Sequence, residues 1–262
     1  MSYKKTWKME NGCEAVITKE NSSLDLIEID MLNLKAGESK EYDETDKEFS
    51  LIILGGNCTV LGEGFNYQNI GKRKNVFDGA ATAVYIPRNK KFQITADTDV
   101  KIAVCKSPSD IDAEPVLVKP EDVIIKHLGK DGWQRDAHFI IDERLKAKHF
   151  YIGEAFVASG MWASYPPHKH DEDNMPTEGI LEEIYYYEFD RESGFGIQKV
   201  YSKEGDIDET YTVKTGDFVE IPKGYHPFCC APGYNSYYLW IMAGKNRGFF
   251  MTTEECHKWL TK

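Results

Sequence analysis

One feature constrains the fold of this chain above all others: a succession of short, β-forming runs separated by Gly, Asn and Asp. "EAVITKE", "LDLIEIDML", "FSLIILGG", "CTVLG", "AVYIP", "KFQITA" and "VKIAVCK" follow one another in the first half. "FYIGEAFVA", "EEIYYYEF", "FGIQKVYS", "ETYTVK", "DFVEIP" and "SYYLWIMAG" repeat the style in the second. Each is a few residues long and rich in Val, Ile, Tyr and Phe, which favour a pleated, half-buried surface. Helical periodicity is confined to "TTEECHKWL" near the C-terminus. Many short strands with regular turns predict an all-β molecule built as sandwiches or barrels.

The 262 residues are enough for one large domain or two small ones. We divide them into an N-terminal half at 1–110, a connector at 111–137 with a short strand around "DVIIKHLG", and a C-terminal half at 138–262. Two matched points suggest that the halves repeat. Glu48 precedes Pro87 by 39 residues, Glu183 precedes Pro222 by the same distance, and the offset between halves is 135. At that offset Lys91 stands where the second half has His226, and no His-x-His pair precedes Glu48. The first half is therefore expected to lack the chemistry of the second.

A formal net charge of −11 makes nucleic acid an unfavourable partner. The longest apolar runs, such as "YYLWIMAG", fall far short of the roughly twenty residues a spanning helix needs, so no membrane partner is expected. The N-terminus "MSYKKTWKMENG" has no apolar signal core. The six cysteines are scattered, with no CxxC, and read as reduced, mostly buried thiols. A cytoplasmic location follows as the expectation.

The chemistry concentrates in the second half. His168 and His170, in "PPHKHD", share one face of a strand while Lys169 points away. Glu183 opens a strand on which Tyr185 and Tyr187 share its face and Glu182 takes the other. His226 closes "TGDFVEIPKGYH". Three imidazoles and a carboxylate form a borderline N/O set suited to Zn, Mn, Fe, Ni or Co, with positions left open for water or substrate. His127, His138, His149 and His257 have no such spacing and read as structural or exposed.

This arrangement resembles the two motifs of the cupins, and the chain as a whole resembles a bicupin. More closely, "WASYPPHKHD", "LEEIYYYEF", "GFGIQKVYS" and "DETYTVKTGDFVEIPKGYHPFCCAPGYNSYYLWIMAG" are similar to the 5-deoxyglucuronate isomerase family of myo-inositol catabolism. "LKAGES", "IGKRKNVFDGAATAVYIPRN" and "VKIAVCKSP" extend the likeness through the first half. Only Tyr225 separates Gly224 from His226, where the general cupin pattern has two residues.

The resemblance implies two jelly-roll-type β-barrels, with the metal in the C-terminal one. It implies an aldose–ketose isomerase that converts 5-deoxy-D-glucuronate to 5-dehydro-2-deoxy-D-gluconate. It implies a divalent metal ion, Zn or Mn, held by His168, His170, Glu183 and His226. Tyr185, Tyr187 and Gln198 are the candidate catalytic residues. Lys169, Arg135 and Arg247 are the candidates for binding the substrate carboxylate, because an anion needs a cation. A small sugar acid is the expected partner, and a homo-oligomer is expected through exposed sheet edges. The alternatives are the related uronate ketol-isomerase of pectin breakdown and a sugar-binding cupin without activity.

Overall fold

The computed structural model describes residues 2–261. Nearly all regular structure is antiparallel strand, and the helical turns among the described residues are three short 3-10 segments, Pro120–Asp122, Asp131–Trp133 and Glu255–Thr261. The helical pattern at the C-terminus is realised as the last of these and buries no residue. With no apolar face to pack, nothing stabilises a longer α-helix there. No helix among the described residues is long and apolar enough to cross a membrane.

Two compact units make up the chain, and neither is continuous in sequence. One consists of residues 7–124 and 140–150, the other of residues 2–6, 125–139 and 151–261. The first unit has a large sheet in the order Val116–Val118, Thr82–Ile86, Lys47–Gly55, Val100–Pro108, Glu28–Leu34, Gly12–Ile17. Its smaller sheet runs Ser39–Tyr42, Phe92–Ala96, Cys58–Gly62, Phe65–Ile70. The large sheet of the second unit runs Lys4–Thr6, Asp217–Ile221, Leu181–Phe189, Ser236–Gly244, Phe150–Val157, Arg135–Ile141, Ile124–Leu128. Its smaller sheet runs Trp162–Ala163, Phe228–Cys230, Gly196–Tyr201, Asp208–Val213. The two large-sheet orders coincide over six strands, the second adding Ile124–Leu128 at its far edge, and the smaller sheets match throughout; the N-terminal Lys4–Thr6 fills the edge place that Val116–Val118 fills in the other unit.

In each unit both sheets contribute to one core. Tyr185, Tyr187 and Trp240 of the second large sheet pack with Val200, Val213 and Phe228 of its smaller sheet. The strand patterns follow from which faces are covered. Ser236–Gly244 is buried at every position, so it reads as a continuous apolar run. Gly196–Tyr201 alternates buried and half-buried, as a strand with one covered face must.

The register corrects one detail of the repeat. Glu183 lies opposite Ile221, but Phe49, not Glu48, lies opposite Ile86. The inward position that carries Glu183 in one unit therefore carries Phe49 in the other. Phe49 packs edge-on against Tyr42 and Phe92, at ring-centroid distances of 5.6 and 5.0 Å, and fills its interior with aromatic carbon. Glu48 faces the other way. It accepts hydrogen bonds from the Tyr85 hydroxyl at 2.9 Å and the backbone amides of Lys148 and His149 at 2.6 and 2.8 Å. Lys91, at the place of His226, pairs with Asp43 at the surface.

Candidate active site

The strand His168–Lys169 is held by pairing with Thr252–Thr253, His168 opposite Thr253. Around Lys169 the two histidines share the inward face, as a period of two requires. Inward alternation on Leu181–Phe189 brings Glu183, Tyr185 and Tyr187 to the interior, opposite Met242, Trp240 and Tyr238. His226 follows a tight turn in which Gly224 has φ +89°. A Cβ at Gly224 would come within 2.4 Å of the Tyr201 carbonyl oxygen, so only glycine fits. The Gly224 amide donates to Asp171 Oδ2 at 2.8 Å, which ties the His226 turn to the histidine strand.

These elements bring His170, Glu183 and His226 into one buried group. His170 Nε2 lies 3.1 Å and His226 Nε2 3.2 Å from the same Glu183 oxygen, Oε2. All three imidazoles spend Nδ1 on a backbone carbonyl: His168 on Pro166 at 3.3 Å, His170 on Leu181 at 2.7 Å, His226 on Gly224 at 3.0 Å. A carbonyl only accepts, so each Nδ1 carries the proton and each Nε2 is free to ligate. His226 Nε2, though close to Glu183, is not aligned with it as a hydrogen bond and is a buried atom with no such partner. His168 stands slightly apart from the tight group of three, with its ring 4.9 Å from that of His226.

The electrostatics agree with this geometry. Burial alone would raise the Glu183 carboxyl, but the imidazoles of His170 and His226 outweigh it and hold it down at about 2. Burial alone would lower His170, and the Glu183 carboxylate raises it instead. His168 is pushed well below the ordinary histidine range by burial, then by His226 and His170. Two Nε2 atoms within 3.2 Å of one carboxylate oxygen, with their Nδ1 atoms committed to carbonyls, form a group that a shared cation would satisfy. This donor set can hold a divalent metal ion.

His168 and Glu183 line a cavity with about 390 Å³ of free space, counting its open mouth. Arg135, Ser164, Tyr185 and Tyr238 supply its other polar groups; Trp240, Met242, Phe249 and Met251 are among its apolar walls. Phe249 and Met251 come from the segment leading into Thr252–Thr253, pinned at Gly179 N to Phe250 O by a 3.1 Å hydrogen bond. Tyr185 and Ser164 share a hydrogen bond of 2.7 Å, and the Tyr238 ring stacks on that of Tyr185 at 4.5 Å. Burial, then the Glu183 charge, pushes the Tyr185 phenol well above its usual range, so it is a hydrogen-bond donor at neutral pH.

Several of the expected residues lie away from the cavity. Tyr187 and Gln198 do not line the cavity. The Tyr187 hydroxyl donates to Gln198 Oε1 at 2.5 Å, and Gln198 Nε2 donates to the His226 carbonyl at 2.8 Å. Both position His226 from behind. The buried ammonium of Lys169 sits 2.6, 2.8 and 2.7 Å from Asp171, Glu172 and Glu178, and Lys169 does not line the cavity. It fixes the acidic 171–178 loop instead. Arg247 is half-buried and lies outside the cavity lining, whereas Arg135 is part of it. Ser164, Tyr238 and Trp240 escaped sequence reasoning. Strand phase could have found the last two, since they alternate with Met242 on "SYYLWIMAG". Ser164, in a left-handed conformation at φ 50°, gives no signal in sequence.

The description KduI/IolB family matches this chain over residues 2–260. The chain belongs to the KduI/IolB family. Within it, the chain is 40% identical over 246 residues to a protein of Bacillus licheniformis named 5-deoxy-glucuronate isomerase, covering 93% of this chain and 91% of the relative. A relative of the same name from Bacillus subtilis is 39% identical over 257 residues, covering 97% and 95%. The solved structure of an IolB-like protein from Salmonella typhimurium superimposes with a TM-score of 0.94 at 34% identity, covering 99% of each chain. Beyond the family, the cupin-like fold extends to Bacillus subtilis oxalate decarboxylase, with a TM-score of 0.66 at 13% identity over 97% of this chain and 80% of that one.

Proposed function

We propose that this chain is a metal-dependent 5-deoxyglucuronate isomerase, a bicupin whose second unit carries the working site. The observation that supports this most is the convergence of His170 and His226 Nε2 on one Glu183 oxygen, every Nδ1 being committed to a carbonyl. His168, His170, Glu183 and His226 would hold the ion, Zn or Mn by the chemistry of the donor set. A divalent ion there supplies Lewis acidity to the carbonyl of the sugar acid.

Aldose–ketose isomerisation moves a proton between adjacent carbons and develops negative charge on two oxygens. Tyr185, kept a phenol by burial, is placed to donate a hydrogen bond to one of them. Ser164 fixes the direction of that phenol. The apolar walls keep water from the reacting carbons and strengthen these contacts. The names of the family relatives give the substrate, and neither alternative reading has an observation in its favour.

The test is metal content. Purified protein is expected to hold a divalent metal that His226→Ala and Glu183→Gln lose along with isomerase activity, by elemental analysis and turnover. Full metal and activity in both variants would reject the proposed ligand set.

A further inference from the structure

We infer that Arg135 is the anchor for the substrate carboxylate, and that the apolar wall of the same cavity selects a sugar acid with a methylene, not a hydroxyl-bearing carbon, beside it. This rests on the isomerase reading and deepens it by naming what recognises the end of the substrate remote from the reacting carbonyl.

Among the described residues, Arg135 is the only arginine or lysine that lines the cavity. Other arginines are already engaged: Arg88 with Asp112, Arg144 with Asp142, Arg73 with the Ile53 carbonyl. Arg135 has no carboxylate partner among the described residues, and its Nη1 is buried without a hydrogen bond. A guanidinium nitrogen withdrawn from water without an acceptor is costly unless an acceptor arrives with the ligand. Its charge is felt at both His168 and Tyr238, so it stands within electrostatic reach of the ligand set and of the hydroxyl network.

Guanidinium and carboxylate match as a planar fork. Bound there, the acid end of the sugar would direct its carbonyl end toward His168 and Glu183. Ala137 lies two residues on along the same strand and also lines the cavity. With Trp240, Met242 and Phe249 it offers carbon, and no hydrogen-bond partner beyond the Trp240 indole N–H, to the chain of the substrate. A hydroxyl on the carbon next to the carboxylate would be buried poorly paired. An apolar wall of this kind discriminates modestly, by at most about a hundredfold.

The test is calorimetric binding to metal-loaded protein. 5-Deoxyglucuronate is expected to bind wild type, and Arg135→Gln to bind it roughly ten- to a hundredfold more weakly with metal content and melting temperature unchanged. Arg135→Lys is expected to recover part of the loss. An analogue with the carboxylate replaced by hydroxymethyl should bind wild type and Arg135→Gln alike, and glucuronate, with its hydroxyl at carbon 5, should bind wild type more weakly than the 5-deoxy acid. Undiminished binding in Arg135→Gln, or an equal loss for the neutral analogue, overturns the anchor. Equal affinity for glucuronate overturns the selective wall. Wild type that binds the sugar acid through Arg135 but does not convert it overturns the isomerase reading and leaves the anchor standing. Wild type that does not bind it overturns both.

Discussion

At the scale of single residues, the convergence of His170, Glu183 and His226 was legible in spacing because strand geometry translates sequence directly into direction. His168 and His170 are two apart, Glu183 heads its strand, and His226 follows a glycine that nothing else could replace. What lay beyond reading was the fate of polar groups that fold back on one another. Lys169 looked free and is caged by three carboxylates. Gln198 looked catalytic and supports the His226 carbonyl from the protein side. Its position is testable. Gln198→Leu leaves the His226 carbonyl and the Tyr187 hydroxyl without their buried partner, and should cost about 1–3 kcal/mol of stability. Urea unfolding of the metal-free protein measures this; stability within error of wild type would show that the network is relaxed elsewhere.

At the scale of elements, nearly every long strand was visible, down to Cys58–Gly62 and Ser236–Gly244 at the bounds their composition suggests. Lys4–Thr6, Ser39–Tyr42 and Phe65–Ile70 were missed because they are short and polar, half-exposed or exposed over much of their length, and so carry little hydrophobic pattern. Arg135–Ile141, buried over its last five residues, was missed for another reason: it straddles the boundary drawn between the connector and the second half. Lys4–Thr6 is nonetheless important to the unit that holds the site. It pairs with Asp217–Ile221, and Lys5 Nζ sits 2.9 Å from the carboxylate of the almost fully buried Glu220. Lys5→Ala should lower the stability of that unit by about 1–3 kcal/mol, while Lys35→Ala, which breaks the solvent-exposed pair with Asp99, should lower stability distinctly less. Thermal unfolding compares the two, and equal effects would contradict the burial argument.

At the scale of the whole molecule, a single strand order is used twice with opposite results. In one unit the interior position is Glu183 within a ring of histidines; in the other it is Phe49 against Tyr42 and Phe92. Sequence suggested a repeat matched at Glu48, and the strand pairing places Phe49 there instead; a one-residue slip exchanges the two faces of a strand. Only pairing fixes that register. Under the proposed function, chemistry belongs to one unit and the chain should need one catalytic ion. The most direct measurement is an NMR assay of 5-deoxyglucuronate with the metal-loaded protein, the chelated protein, and the chelated protein given back a divalent metal. The expected result is conversion of the aldehyde to the ketone, lost on chelation and restored by metal; no conversion in any metal form, or conversion untouched by complete removal of metal, would contradict it.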